Sequence, residues 1–222
     1  MDLGILIAPL MLAGAVGVWA WDAFYSPDAR FKRALKTLAF TPMREARDGR
    51  VNKIAGTLEY AAAPLTAPLS GRACAWYEVI VEELKGRGGP RQILREERRQ
   101  LFFLRDADGT RALVRTAHAR TLLVKDANFS SGTFNDPSPV LEEFMRRHGI
   151  EPRGLLFNRS LRFREGVLEA GERVVAAGVA RWEADADSGS VGGAYRETPR
   201  RLVLDGSEKA PLLISDDPSA LR

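Results

Sequence analysis

The side chains that could act as a nucleophile or a base are few and lie apart in the sequence. Cys74 is the only cysteine, and His118 and His148 are the only histidines. A thiol nucleophile needs a base within hydrogen-bonding distance, and neither histidine belongs to a recognisable partner motif. Cys74 stands in an apolar run between Ala73 and Ala75, which is typical of a small buried side chain. The sequence therefore predicts no catalytic residue.

Motifs for other chemistry are incomplete. Ser70-Gly71 lacks the Gly-x-Ser-x-Gly setting of a hydrolase nucleophile, and the glycines at 86, 88 and 89 are not followed by the Gly-Lys-Ser/Thr of a phosphate loop. Asp106 and Asp108 precede a glycine, but the other ligands of a calcium loop are missing, and a turn is the better interpretation. One cysteine cannot build a zinc site from several thiolates. We expect neither a metal nor a cofactor.

The charge balance argues against a nucleic-acid partner. The 222 residues include 33 Lys and Arg against 29 Asp and Glu, and the two signs are mixed along the chain. Mixed charges indicate an ordinary solvated surface, whereas nucleic-acid binding is typical of a concentrated basic patch. Hydrophobic residues make up 45% of the chain, which is enough to form a folded core.

A hydrophobic run at the start of the sequence predicts a membrane anchor at residues 1–23. No charged residue occurs from Leu3 to Trp21, and a helix of that length is about 28 Å long, close to the thickness of a bilayer core. The alternative, a cleaved secretory signal, requires a basic first region and a small-x-small cleavage site. Both are absent, and aromatic residues follow the run, so the sequence favours a single uncleaved span.

Residues 24–45 are expected to form a basic juxtamembrane helix. Ser26-Pro27-Asp28 is a helix-start pattern, and Phe31, Leu35 and Leu38 recur at helical spacing. Such a helix could lie on anionic headgroups or pack its apolar residues on the following domain, and the sequence favours neither. Its basic residues follow the span directly, so the positive-inside rule predicts a cytoplasmic domain.

From residue 46 to residue 216 the pattern changes to short β-branched and aromatic runs separated by turns, with residues 217–222 left as a tail. The fold class predicted is mainly β: an antiparallel, barrel-like or OB-like domain with one inserted helix, in addition to the transmembrane helix. The inserted helix should begin at Ser138-Pro139 and end before Gly149. The predicted strands are residues 51–60, 73–84, 93–104, 112–114, 121–125, 161–168, 173–182, 202–204 and 212–214.

The segment at residues 64–79 carries a family resemblance. Its sequence, PLTAPLSGRACAWYEV, includes Pro68, Ser70, Gly71, Cys74 and Tyr77. In these residues it resembles the GIDE (beside-a-membrane) domain, which occurs in membrane-anchored mitochondrial RING-type ubiquitin ligases and in many prokaryotic proteins of unknown function. Two later segments, 162–174 with Gly178 and 211–216, fit the same pattern. The resemblance implies a structural role for these five residues.

The resemblance would also imply a ubiquitin transferase, but the chemistry of that activity is missing. In the ligases a second transmembrane helix and a zinc-binding RING follow the domain, whereas Arg222 is six positions beyond Asp216. A RING needs several cysteine and histidine ligands. We therefore expect not an enzyme but a non-catalytic, single-pass membrane protein with an unknown protein partner. The alternatives are an enzyme by homology and an envelope scaffold.

The side of the membrane is open to two interpretations. The Arg- and Ala-rich composition indicates a bacterial inner membrane, and the basic flank places the domain in the cytoplasm. In the RING-type ligases, however, the corresponding domain lies between two spans on the side opposite the RING. We keep the interpretation based on charge and predict that the domain lies in the cytoplasm.

Overall fold

The computed structural model describes residues 27–85, 89–131, 138–150, 160–185 and 199–220. The predicted anchor at residues 1–23 lies outside these ranges, as do the turn at 86–88 and most of the glycine-rich loop predicted at 184–193. Within the ranges described, no helix has the length and apolar character that crossing a membrane requires.

The described residues contain two α-helices, one short 3-10 helix and thirteen strands. Helix α1 is Pro27–Lys36, helix α2 is Pro139–Arg147, and the 3-10 helix is Met43–Glu45. The strands are β1 (Val51–Tyr60), β2 (Leu65–Thr66), β3 (Ala73–Cys74), β4 (Trp76–Lys85), β5 (Gly89–Arg99), β6 (Phe102–Arg105), β7 (Arg111–Val114), β8 (Ala119–Leu122), β9 (Ala127–Ser131), β10 (Leu161–Leu168), β11 (Arg173–Ala184), β12 (Arg200–Asp205) and β13 (Leu212–Ser215).

Five strands close into a barrel in the order β1-β6-β7-β12-β11, with β11 pairing back onto β1. Strands β13 and β8 extend the same sheet beyond β11. The prediction of a mainly β, barrel-like domain is confirmed. Fully buried aliphatic and aromatic side chains fill the barrel and include Ile54, Leu58, Phe102, Leu104, Val174, Leu202, Leu204, Leu212 and Ile214.

The prediction of a mainly antiparallel domain holds for most strand pairs, but two pairs are parallel. Strand β12 pairs with β7 in parallel, and β13 pairs with β8 in parallel. Parallel partners require a long crossover connection rather than a tight hairpin. Such a crossover is present here, because β9, α2, β10 and β11 all lie in the chain between β8 and β12.

The second sheet has the order β5-β4-β10-β9 and is antiparallel throughout. One face of β4 presents Tyr77, Val79 and Val81 to a cluster that includes Phe144 and Met145 of α2. The strand predicted at residues 73–84 is present as β3 and β4, but both faces of β4 are buried near its start, since Trp76 and Glu78 are as buried as Tyr77. The predicted helix is also confirmed, since Ser138 caps it by accepting a hydrogen bond from Leu141 N.

Two parts of the strand assignment differ from the prediction. The single strand expected at residues 93–104 is divided into β5 and β6, because β5 pairs with β4 in the second sheet whereas β6 pairs with β1 in the barrel. Ala127–Ser131, for which no strand was predicted, forms the edge strand β9 against β10. Its polar sequence does not reveal a strand that is held by backbone hydrogen bonds along one side.

Helix α1 packs on the domain rather than presenting its apolar residues elsewhere. Leu35 is fully buried against Val175, Ala177 and Ala220, and Lys32 forms an ion pair with Asp217 at 2.7 Å. The structure thus decides between the two interpretations of this helix in favour of packing. Ala220 shows that part of the predicted tail belongs to the same cluster, and the helix ends at Lys36 rather than near residue 45.

Candidate functional site

A tight loop between β2 and β3 carries three of the residues singled out in the sequence: Pro68, Ser70 and Gly71. Ala67 N donates to the Arg72 carbonyl (2.9 Å), and Gly71 N donates to the Ala67 carbonyl (3.0 Å), so the chain reverses within six residues. Gly71 has a φ of +73°, a backbone conformation that glycine adopts with little strain. These hydrogen bonds define the loop, residues 66–71, as one wall of a groove described below.

Glu165 of β10 holds this loop from beneath. It is fully buried, and its two carboxyl oxygens accept hydrogen bonds from Leu69 N (2.9 Å) and Ser70 N (3.2 Å). Two of the segments that carry the family resemblance, 64–79 and 162–174, are thereby joined through a buried side chain. Nothing in the spacing of the sequence reveals this contact, because it links positions that are almost one hundred residues apart.

A second network lies around Tyr77. The Tyr77 hydroxyl donates to Glu96 Oε1 (2.6 Å), and His148 Nε2 lies 2.7 Å from Glu96 Oε2. Burial would raise the pKa of Glu96, but the hydrogen bonds from Tyr77 and His148 and the nearby Arg147 outweigh it, so the pKa lies below its usual value. Burial, together with the bond to Glu96, raises the pKa of the Tyr77 hydroxyl. Tyr77 is consequently a fixed, neutral hydrogen-bond donor.

The loop and this network border a groove of about 460 Å³, called here the motif groove. Residues 66–71 form one side, Tyr77 and Arg98 contribute from the adjacent strands β4 and β5, and Val140 and Arg147 contribute from α2. Tyr77 and Arg98 lie directly opposite each other in the β4–β5 register. Val140 is 49% exposed, so the groove has an accessible apolar contact beside its charged ones.

The motif groove carries positive charge. Arg147 contacts Glu96 Oε2 at 3.4 Å, and its guanidinium lies 5.2 Å from the centre of the Phe144 ring. Arg98 forms no ion pair with any residue that the structure describes. Since both oxygens of Glu96 are already used, the guanidinium of Arg98 is available to a carboxylate, which it can bind through two parallel hydrogen bonds.

The remaining residues considered for chemistry are placed differently. Cys74 is fully buried, its Sγ donates to the Leu65 carbonyl (3.7 Å), and burial raises its pKa to about 11. His118 is exposed in the turn between β7 and β8. Within the five described ranges, no three His, Cys, Asp or Glu side chains are arranged to hold a metal ion.

Four of the five family-motif residues, Pro68, Ser70, Gly71 and Tyr77, line the motif groove, whereas Cys74 lies in the cluster beneath it. No motif in the sequence singles out Glu96, Arg98, Arg147 or Glu165 as site residues. The signal available for Glu96 and Arg98 was their position in a strand next to that of Tyr77. The pairing of β4 with β5 places Glu96 and Arg98 on the same face as Tyr77. That placement can be inferred only when the register of the two strands is known.

The third segment of the resemblance, 211–216, ends at a partly buried carboxylate. Asp216 Oδ1 accepts a hydrogen bond from Val124 N (2.9 Å), which attaches the end of β13 to the residues after β8. Burial raises the pKa of Asp216 to about 6, against the opposing effect of that bond and of Lys125.

This pKa predicts a pH-dependent stability. Between about pH 4 and pH 6 the folded protein retains a proton on Asp216 that the unfolded chain releases, so stability falls as the pH rises through this window. We expect Asp216→Asn to flatten that slope, as measured by urea unfolding at several values from pH 4.5 to pH 7.5. Glu172, whose pKa is also raised by burial, leaves a residual slope of the same sign.

The neighbouring residue supplies the control. The ion pair with Lys32 lowers the pKa of Asp217 to about 2, so its contribution is constant above pH 4.5 and is lost only as the pH falls below about 4. Asp217→Asn should therefore lower stability by a similar amount throughout the window. A slope that is unchanged in Asp216→Asn would contradict the assignment.

Comparison of this chain with protein-family models, with curated proteins and with solved structures finds no match. No activity is therefore carried over from a relative. The function proposed next depends on the geometry of the motif groove and on the resemblance present in the sequence.

Proposed function

We propose that this chain is a membrane-anchored, non-catalytic interaction protein that binds an acidic segment of a protein partner in the motif groove. The observation that carries the proposal is the convergence of four motif residues on a groove that also contains Arg98, which has no ion-pair partner among the described residues. A partner carboxylate would bind Arg98 and Arg147, and its apolar neighbours would contact Val140.

The polar side chains of the groove are already held by neighbouring groups, which supports recognition rather than catalysis. Tyr77 is held by Glu96, so its position does not have to be ordered when the partner binds, and this lowers the entropic cost of association. Ser70 Oγ accepts a hydrogen bond from Arg72 Nε (3.2 Å), and is thus engaged within the loop instead of being activated by a base.

The wider context of the proposal comes from the sequence. We include the GIDE-like identity of the domain, its OB-like class and a single anchor at residues 1–23 that leaves the domain on the cytoplasmic side. The OB-like class is supported by the strand order β1-β6-β7-β12-β11, a three-strand meander closed by a parallel pair. The anchor is supported by the uncharged run from Leu3 to Trp21.

Site-specific photocrosslinking in native membranes tests the proposal. A photoreactive amino acid replaces Val140, which is 49% exposed in the groove, and in a matched chain it replaces Val51, which is 53% exposed outside it. We expect a discrete crosslinked product at position 140 that is absent at position 51. Arg98→Glu should abolish the product, whereas Arg181→Glu, at an exposed arginine of β11, should preserve it.

A defined probe tests the acidic character of the partner. Fluorescence polarisation compares a labelled poly-glutamate peptide with its poly-glutamine counterpart, and we expect the glutamate peptide to bind at least about tenfold more tightly, a difference of about 1.4 kcal/mol. Arg98→Glu should remove that preference. Equal binding of the two peptides, or a crosslink at position 140 that survives Arg98→Glu, would contradict the proposal.

A further inference from the structure

A second groove, of about 700 Å³, lies between α1 and the strands β5 and β8. It is called here the arginine groove, because each of these elements contributes guanidinium groups to its lining. The charged residues that line it are Asp28, Arg30, Arg95, Glu97, Arg99 and Arg120. With four cations and two anions, the lining has a net positive charge.

Two of the arginines, Arg95 and Arg99, are held in place by hydrogen bonds and ion pairs within the domain. Arg95 Nε lies 2.6 Å from Glu78 Oε1, and Glu78 is only 4% exposed. Arg99 donates to the carbonyls of Ala117 (3.0 Å) and Ala119 (3.1 Å). Glu97 contacts both guanidinium groups, at 3.3 Å and 3.2 Å. The inner part of the arginine groove is therefore ordered before any ligand binds.

The other two arginines, Arg30 and Arg120, are available to bind an anionic ligand. Neither Arg30 nor Arg120 forms an ion pair with a residue in the described ranges, and both side chains are exposed. Phe31 of α1 and Leu213 of β13 add apolar surface to the lining. Exposed guanidinium groups from two separate elements, beside apolar side chains, suit a ligand that has both an anionic and an apolar part.

The position of α1, directly after the hydrophobic run, indicates which class of ligand the arginine groove binds. Trp21, the last residue of the hydrophobic run, precedes Pro27 by six positions, and six residues can span at most about 20 Å. If the run is the membrane anchor, a point that depends on the function proposed above, the first turns of α1 lie near the headgroups. Arg30 and Phe31 belong to those turns.

We propose that the arginine groove binds the phosphate of an anionic glycerophospholipid headgroup in the membrane that holds the anchor. Arg30 and Arg120 are the phosphate ligands, because a guanidinium binds phosphate oxygens through paired, charge-assisted hydrogen bonds. Arg95 and Arg99, which line the groove on β5, add positive electrostatic potential at the phosphate site. A zwitterionic lipid is disfavoured, since its quaternary ammonium would enter a site of net positive charge.

The test uses the full chain purified in a non-ionic detergent. Its affinity is measured for short-chain phosphatidylglycerol, for short-chain phosphatidylcholine and for glycerol phosphate. We expect phosphatidylglycerol to bind at least about tenfold more tightly than phosphatidylcholine. The double substitution Arg30→Gln and Arg120→Gln should remove this preference without lowering the thermal midpoint, because both side chains are exposed.

A matched double substitution separates a site from general electrostatic attraction. Arg173 and Arg181 are exposed arginines of β11 outside the arginine groove, so changing both to glutamine removes the same charge. This control should retain the lipid preference. Equal losses in the two double variants would overturn the proposal. Binding of glycerol phosphate as tightly as phosphatidylglycerol would overturn the lipid assignment in favour of a soluble phosphate compound.

The failure of this proposal can be distinguished from failure of the proposed function. Carbonate extraction of membranes tests the anchor independently, and a chain that is released into the supernatant would contradict the anchor whatever the lipid measurements show. Conversely, a crosslink at Val140 tests the motif groove alone, and it should be unaffected by substitution of Arg30 and Arg120.

Discussion

Glu165→Ala is expected to lower the free energy of unfolding by about 3 kcal/mol, because two buried backbone donors would lose their acceptor and each unsatisfied group costs about 1–3 kcal/mol. Those donors are Leu69 N and Ser70 N, which bind separate oxygens of the Glu165 carboxyl group. Since the loop at residues 66–71 is held from beneath by this side chain, the motif groove should lose its shape as well. Urea unfolding at pH 7 measures the first effect, and the crosslink at Val140 reports the second.

Two further substitutions serve as controls for Glu165→Ala. Glu165→Gln keeps one acceptor oxygen and should cost about half as much. Glu169→Ala removes the same functional group four positions along the chain, where the carboxylate is 31% exposed and its contact with Arg72 is 3.7 Å. Such exposed pairs contribute less than about 1 kcal/mol. If Glu165→Ala were as mild as Glu169→Ala, the buried contact would not hold the loop.

Gly206→Ala is expected to disrupt the contact between the β7–β8 turn and the start of β13. A Cβ atom at this position would lie 2.6 Å from the His118 carbonyl oxygen and would clash with Leu212 N. Those two atoms hydrogen-bond to each other at 2.9 Å, joining the β7–β8 and β12–β13 connections. Because backbone atoms on both sides must move, the thermal midpoint should fall by about 10 °C, equivalent to about 3 kcal/mol or more.

The control for this prediction is a glycine that needs its backbone conformation but not its small volume. Gly109 has a φ of +83°, and a Cβ atom there would meet nothing within 4 Å. Asparagine tolerates that conformation better than other residues do, so Gly109→Asn should lower the midpoint by only a few degrees. Thermal melting followed by circular dichroism compares the two variants, and a midpoint within about 2 °C of the parent in Gly206→Ala would refute the close approach.

The mainly β fold could be predicted from sequence because alternation and turn residues are local signals. The bounds of β10, Leu161–Leu168, and the cap at Ser138 fall where the pattern indicates. The parallel pairs could not be predicted in this way. Alternation shows which side chains of a strand are buried, but it does not show which strand lies beside it.

The motif groove could be predicted only in part, because the sequence pattern does not show which strands are neighbours. Pro68, Ser70, Gly71 and Tyr77 could be selected from a contiguous segment. Glu165, however, meets that segment only through the pairing of β10 with β4. Gly178 belongs to the resemblance, and the structure supplies its reason: a Cβ atom there would lie 2.8 Å from the Asp205 carbonyl oxygen and would also clash with the Leu212 side chain.

The order of strands in the barrel has a consequence for how the polypeptide folds as it is synthesised. Strand β1 must wait for β11 to pair residues 51–57 with residues 173–179, and β8 must wait for β13. The second sheet, by contrast, needs only residues 76–168. Since contacts between distant segments form slowly, the second sheet should assemble first on the nascent chain. Until β11 to β13 have emerged, the open edges of β1 and β7 would be exposed to misfolding and to chaperones.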